Sequence, residues 1–336
     1  FSWRPVARSG LSVRVMTVAA IAIGRNEGAR LEKCLASLMQ QASPVIYVDS
    51  GSTDGSVDAA KAAGAEVVDL DLSVPFTAAR ARNAGFDALK TGNMPDFIQF
   101  IDGDCAIDPE WLGKALMFLE EHPLTAVVCG KRRERFPEAS VYNRLCDIEW
   151  DTPIGEAKAC GGDALVRVAA FEEVGGFNPA LIAGEEPEMC VRMRAKGWQI
   201  WRIDAEMTLH DAAMTRFRQY WKRARRGGHA YAEGAYMHGS PPECHGVRGR
   251  NSALIWGAVL PLSTVLALLF LGPVGLILLL AYPAQVLRLA AKRGFSAGAW
   301  EWGIFLVLGK FAEAQGAVSY FTDRLAGRRA TLTEYK

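Results

Sequence analysis

The chain has 336 residues, with 38 Lys and Arg against 37 Asp and Glu and a formal net charge of +1. That length suits one large α/β domain or two smaller ones, and the charge balance excludes a general nucleic-acid binder, which carries a strong basic excess. Seven scattered cysteines without a CxxC pair fit a reducing compartment better than a disulfide framework. The stretch from His238 to His245 lacks a second cysteine pair at zinc-site spacing and reads as a loop.

Residues 1–15 do not begin with Met and contain no long apolar core. They are expected to form an N-terminal extension and not a signal peptide. A first strand is predicted over 18–23, ending in "GRNEG". Leu31, Cys34, Leu35 and Leu38 follow at helical spacing. A second strand over 45–48 ends in "DSGSTDGS", and a small Ala-rich helix and a third strand over 66–70 come next. Residues 76–90 read as a helix and 97–101 as a fourth strand, which ends in "DGD". Asp108-Pro109 suits the cap and first turn of a helix running to Leu119, and 126–129 is a further strand candidate. Alternation of this kind predicts an α/β fold with a mostly parallel sheet flanked by helices.

In such sheets ligands gather at the carboxyl ends of the strands. Glu27 follows strand one, Asp49 strand two, and Asp102 and Asp104 strand four. Two carboxylates around Gly103 form either a solvated strand end or a site for a hard divalent cation bound to phosphates, which takes one or two carboxylates. Asp49 either closes its own loop or accepts a hydrogen bond from a nucleobase.

Residues 252–290 are almost purely apolar, with no charge before Arg288 and with Gly272-Pro273 near the middle. Two membrane helices in a tight hairpin, 252–271 and 274–290, are expected. A buried hairpin in a soluble protein and a re-entrant hairpin are the alternatives. Arg248 and Arg250 precede this segment, and Arg288, Lys292 and Arg293 close it. The positive-inside rule then puts both ends in the cytoplasm. Residues 300–325 are apolar but interrupted by charge, as in an amphipathic interfacial helix. The expected organisation is an extension (1–15), a catalytic domain (16–235), a linker (236–251), a transmembrane hairpin (252–291), and an amphipathic helix with a tail (292–336).

The stretches "AIGRNEGARLEKCLASL", "VIYVDSGSTDGS", "ARNAGF", "FIDGDC" and "GGFNPALIAGEEPEMCVRMRAKGW" occur in the order seen in family 2 inverting glycosyltransferases with the GT-A fold. The resemblance covers roughly residues 17–230 and resembles the membrane-anchored bacterial type. It implies a nucleoside pocket with Glu27 and Asp49, and places Arg82 and Asn83, with Arg80 as a second candidate, near the nucleotide. It puts Asp102 at the ribose or metal and makes Asp104 the main ligand of Mn²⁺ or Mg²⁺. Gly161, Gly162 and Asp163 would lie near the donor sugar, and His210 matches a position that completes metal or diphosphate contact in some members. The family's catalytic base is the second acid of a Glu-Asp pair before a helix. Here that acid is Glu186, with Glu185 in reserve, and the pair departs from the usual Asp.

Read from the residues alone, Pro187 suits the first helical position and Glu186 the N-cap. There a carboxylate serves either as a base facing the rim or as partner to the helix dipole. "QYWKRARRGG" resembles the Gln-x-x-Arg-Trp motif of processive synthases, but Lys222 and Arg223 stand at its last two places. Arg225 and Arg226 are left to meet diphosphate or lipid headgroups, or to form a solvated face. "KRRER" (131–135) is either surface or acceptor contact.

The resulting expectation is a metal-dependent inverting glycosyltransferase at the cytoplasmic membrane. It would move a sugar from a nucleotide-sugar donor, UDP-linked by preference, to a lipid or lipid-linked saccharide. A processive polysaccharide synthase and a non-catalytic nucleotide-sugar-binding scaffold are the alternatives.

Overall fold

Seven apolar or small residues in a row make β1 (Val18–Gly24), which is buried along nearly its whole length. Such an unbroken run, without alternation, belongs to a strand covered on both faces. The structure is a computed structural model and describes residues 16–328; the expected extension over 1–15 lies outside the described residues. Helix α1 (Ala29–Leu38) buries Leu31, Cys34, Leu35 and Leu38, the set its spacing predicts. The units β2 (Val45–Asp49), α2 (Ser56–Ala62), β3 (Glu66–Asp69), α3 (Ala78–Leu89) and β4 (Phe97–Asp102) follow. Thr77 caps α3 by accepting the Arg80 backbone N–H.

Strand β5 (Cys105–Ile107) leads into α4 (Trp111–Glu121). That helix starts later than expected from Asp108-Pro109, because Asp108 Oδ1 accepts the Glu110 N–H and closes a turn before the helix. Next come β6 (Thr125–Glu134), α5 (Val141–Trp150), β7 (Gly155–Glu156), β8 (Ala164–Arg167), α6 (Val168–Glu173), α7 (Glu185–Ala195) and β9 (Gln199–His210).

These strands form one nine-stranded sheet in the order β3-β2-β1-β4-β8-β6-β9-β5, with β7 beside β9. Strands β3, β2, β1 and β4 run parallel, as the alternating pattern predicts. Beyond them β8 is antiparallel to both β4 and β6, and β6 returns to parallel pairing with β9. The sheet is therefore mixed. One face packs against Leu31, Leu35, Trp111 and Leu119 from α1 and α4. The other packs against Phe86, Phe171, Met189 and Met193 from α3, α6 and α7.

The C-terminal region is helical: α8 (Phe217–His238), α9 (Val247–Leu254), a π-helical turn (Ile255–Val259), α10 (Leu260–Leu271), a 3₁₀ segment (Gly272–Leu280), α11 (Ala281–Lys292) and α12 (Ala297–Leu325). A boundary at 235 thus falls inside α8. The helical stretch Val247–Lys292 is long and apolar enough by composition to cross a membrane. It is not straight. Gly272 takes a φ of +64°, which glycine adopts without strain, and the chain doubles back. The Tyr282 hydroxyl donates to the Trp256 carbonyl at 2.8 Å although 26 residues separate them. The return limb opens as a 3₁₀ segment, where a regular helix is expected from 274. Helix α12 does not lie apart from the protein: it buries Ala312, Ala317 and Tyr320, and Ala317 and Tyr320 pack with Ala232 of α8.

Candidate active site

The acids expected at the strand ends do meet along one rim. Asn26, at φ +55°, accepts the Thr53 N–H at 2.7 Å, while its own N–H donates to Ser52 Oγ at 2.9 Å. The loops after β1 and β2 are thereby stitched together. Glu27 pairs with Arg30 at 2.8 Å. Asp49 is buried; its Oδ1 accepts the Tyr47 hydroxyl at 2.9 Å, and its Oδ2 accepts the backbone N–H groups of Gly51 and Ser52, each at 2.8 Å. Those bonds close the loop, the first of the two roles its sequence allows.

At the end of β4, the Gly103 N–H donates to the Ile23 carbonyl at 2.8 Å. A Cβ on Gly103 would meet that carbonyl oxygen at 3.2 Å and Glu27 at 3.3 Å. The close approach that glycine permits is therefore to the end of β1. This turn separates its two carboxylates: Asp102 leaves 40% of its side chain exposed, whereas Asp104 is buried.

Asp104 Oδ2 lies 3.2 Å from Nε2 of His210, the last residue of β9. Pairing of β5 with β9 sets Cys105 opposite His210, which fixes this encounter. His210 Nδ1 lies 3.8 Å from Oε2 of Glu134, and the Trp150 ring stands edge-on to its imidazole with centroids 4.7 Å apart. One ligand atom each from Asp104, Cys105 and His210 falls within 4.8 Å of the others. Burial pushes the Cys105 thiol well above its ordinary pKa, and the nearby Asp163 carboxylate adds to the shift; hard divalent ions in any case prefer oxygen and nitrogen to sulfur. An oxygen from Asp104 and a nitrogen from His210 remain, a donor pair suited to a divalent ion such as Mn²⁺.

Deeper in the sheet, Asp163 is fully buried. Its Oδ1 accepts the Asp102 N–H at 3.1 Å, and its Oδ2 accepts Thr208 Oγ1–H at 3.2 Å and pairs with Arg132 at 3.0 Å. It positions Asp102 and is not itself open to a ligand.

Arg82 is 2% exposed and bridges two acids from separate elements. Its Nη2 donates to Asp102 Oδ1 at 2.8 Å and its Nη1 to Glu185 Oε1 at 2.5 Å. Burial by itself favours loss of the guanidinium proton, but Asp102 and Glu185 outweigh it and raise the pKa. A Cβ on Gly162 would sit 2.5 Å from Arg82 Nη2, so glycine there leaves room for the bridge.

Helix α7 begins at Glu185 with Gly184 as its N-cap, so Glu186 lies within the first turn and Pro187 is third, not first. The geometry changes the reading of the acid pair. Glu186 is buried, with Oε1 accepting the Cys160 N–H and Oε2 the Gly161 N–H, each at 2.9 Å, and the Cys190 thiol donating to Oε1 at 3.0 Å. Burial raises its pKa against these hydrogen bonds. The side chain pins the loop that carries Gly162 and Asp163. Glu185 is partly exposed, and among the described residues its Oε2 carries no hydrogen bond.

Two candidates on α3 are occupied elsewhere. Arg80 donates to the carbonyls of Asp71, Val74 and Pro75 at 2.8–2.9 Å and organises the loop before α3. Asn83 exchanges both amide hydrogen bonds with the Phe177 backbone, at 2.8 and 3.0 Å. Arg225 is exposed and Arg226 half-buried on α8. One turn beyond Arg226, Ala230 approaches Gly184, where an added Cβ would stand 3.3 Å away. That contact sets α8 beside the start of α7.

Arg132 and Glu134 were obscured in the sequence by the charged run 131–135. Arg132 points inward, with its guanidinium carbon 5.5 Å from the Trp150 ring centre. Glu134 Oε1 accepts the Phe136 N–H and the Asn143 amide, and its Oε2 accepts the Ala212 N–H, all at 3.1 Å. The two-residue period of a strand carrying on past Cys129 is the signal that separates them from Lys131 and Arg133.

In fold the chain is similar to mannosyltransferase PcManGT from Pyrobaculum calidifontis in complex with GDP-Man and Mn²⁺: the TM-score is 0.59, with 19% identity over 91% of this chain and 87% of that one. It is also similar to glucosyl-3-phosphoglycerate synthase from Mycobacterium tuberculosis in complex with Mn²⁺, UDP and glucosyl-3-phosphoglycerate. That TM-score is 0.50, with 18% identity over 71% and 88% of the two chains. No curated protein sequence matches. The expected GT-A-like architecture of a central sheet flanked by helices is present, and residues 21–174 match the model of the glycosyl transferase family 2 domain.

Proposed function

We propose that the protein transfers a sugar, with inversion, from a nucleotide-sugar donor to a lipid or lipid-linked saccharide acceptor. The observation that carries this reading is the Arg82 bridge. It holds Asp102 from the end of β4 against Glu185 from the start of α7, on the rim where α/β sheets bind ligands. The family model matched by residues 21–174 supports sugar transfer. The GDP-Man, UDP and Mn²⁺ named for the similar folds support a UDP- or GDP-linked donor and a divalent metal.

Asp104 and His210 would hold that metal, with Asp102 at its exposed side. Bound there, Mn²⁺ or Mg²⁺ supplies positive charge to the departing diphosphate. Glu27 and Asp49 belong to the loops that would face the nucleoside, Asp49 by fixing the loop's shape. Glu185 replaces Glu186 as the proposed base: Oε1 is held by Arg82, and Oε2 would take the acceptor hydroxyl proton. Glu186 and Asp163 hold the loop around Gly162 in place. Arg226, one turn before Ala230 on α8, would meet an anionic donor or headgroup.

The apolar hairpin, with basic residues at both outer ends, supports attachment to the cytoplasmic membrane with the sheet domain in the cytoplasm. Purified protein incubated with UDP- and GDP-sugars and a lipid extract, with and without Mn²⁺, is expected to release nucleoside diphosphate only with the metal. A donor is expected to raise the melting temperature. No release and no thermal shift across the panel would overturn the assignment.

A further inference from the structure

Beyond the bond between Tyr282 and Trp256, both limbs of the hairpin are shorter than a hydrocarbon core is thick, and the tip is apolar. The hairpin's base is fixed where Tyr282 bonds Trp256, and α12 runs across that base. A Cβ on Gly257 would strike the Lys310 carbonyl, and the Phe311 and Tyr282 rings stand 5.5 Å apart. Gly303 of α12 faces Val286 and Leu289 of α11, while Ala317 and Tyr320 pack toward Leu254 of α9. The outward limb is the five-residue π-helical turn and the twelve-residue α10, roughly 25 Å at 1.5 Å per residue. The return is the nine-residue 3₁₀ segment, roughly 18 Å at 2.0 Å per residue. A hydrocarbon core is about 30 Å thick.

The turn itself is Leu271-Gly272-Pro273-Val274. It offers no polar side chain to a far-side headgroup layer, and Phe270 and Val274 are 82% and 68% exposed. Exposed apolar side chains also line both limbs, including Leu262, Leu269, Ile277 and Leu280. A second copy of the chain would cover one side of such a hairpin; lipid covers every side. The flanking basic residues lie outside that base, Arg248 and Arg250 before it and Arg288, Lys292 and Arg293 after it, and the Trp256 and Tyr282 rings meet at the base with centroids 6.1 Å apart. Basic and aromatic residues gathered at one end match one headgroup layer with anionic phosphates.

We infer that the hairpin is re-entrant: it enters the leaflet facing the sheet domain, turns inside the hydrocarbon core, and leaves by the same leaflet. This rests on the membrane attachment proposed above. The test uses the full chain in vesicles, with Cys244→Ser removing the exposed thiol and Val274→Cys or Phe270→Cys marking the tip. A membrane-impermeant maleimide is expected to label neither variant from either face until detergent is added. A spin label at the same positions is expected to be relaxed more by oxygen than by a water-soluble nickel chelate. Labelling from the face opposite the sheet domain would overturn re-entry in favour of a full span. Labelling from the sheet-domain face, or protein that floats free of vesicles without detergent, would overturn membrane attachment itself. Efficient tip-to-tip crosslinking would reassign the surface to a second copy.

Discussion

Nη1 of Arg82 lies 2.5 Å from Oε1 of Glu185, although 103 residues separate them. The same guanidinium holds Asp102, so removing it leaves two carboxylates without their partner. Breaking a buried pair from one side costs about 3–5 kcal/mol, and Arg82→Ala is expected to lose that much in denaturant unfolding. Glu185→Gln keeps an oxygen for Arg82 and should fold normally, yet lower turnover by about 10²- to 10⁴-fold, the usual share of a general base. Unfolding midpoints measured beside turnover numbers separate the two effects. Full activity in Glu185→Gln would remove it from the chemistry.

Glu186 should behave in the opposite way. Its two oxygens accept two backbone N–H groups, and a Gln side chain can accept only with one. Glu186→Gln is expected to cost about 1–3 kcal/mol, with turnover falling only as the Gly161 loop loosens. Burial raises the Glu186 pKa, so its contribution to stability is greatest below the ordinary carboxylate pKa and declines as pH rises through the raised value. The stability gap between wild type and Glu186→Gln is thus expected to narrow from pH 4 to pH 7. A gap that widens would show that the carboxylate is stabilised by folding.

Much of this site is legible in the sequence because strand ends in an alternating α/β pattern predict where side chains gather. Asp104 and His210 illustrate it: β5–β9 pairing brings the two expected metal ligands to 3.2 Å. The roles within the acid pair were not legible. Helix α7 begins one residue before Glu186, and that one-residue offset decides which acid turns into the Gly161 loop and which meets Arg82. Arg80 and Asn83 bond neighbouring backbone groups, which the sequence does not record. A polar side chain near a rim satisfies neighbouring backbone as readily as a ligand, and sequence does not record which carbonyl lies in reach. The antiparallel β8 is not legible in the sequence because its four residues carry no periodic signal longer than a turn.

The Asp104–His210 pair predicts a graded response to metal. Asp104→Asn should weaken Mn²⁺ binding most, since it removes the anionic ligand. Glu134 stands behind the other ring nitrogen of His210, and changes to such supporting groups cost about 10- to 100-fold in affinity. Calorimetric titration of Mn²⁺ in the presence of UDP or GDP should therefore rank wild type above Glu134→Gln, and Glu134→Gln above Asp104→Asn. Chelation should abolish turnover, and added Mn²⁺ should restore it. Equal affinities across the three proteins would move the metal away from His210.

The packing of α12 against α8 should also reach the site. A Cβ on Gly316 would stand 1.9 Å from the Arg225 carbonyl, and one on Gly228 would stand 1.9 Å from the Glu313 carbonyl. Both clashes are with backbone, so no side-chain rotation relieves them. Overpacking of this kind costs about 1–3 kcal/mol, and Gly316→Ala is expected to lower thermal stability by that amount. Gly298, in the first turn of the same helix, has nothing within 4 Å of its added Cβ, so Gly298→Ala should be neutral or stabilise by up to about 1 kcal/mol. Because α8 touches the Gly184 turn through Ala230, displacing α12 should also raise KM for the donor. A Gly316→Ala protein as stable and as active as Gly298→Ala would show that α12 is not packed on α8 through this contact.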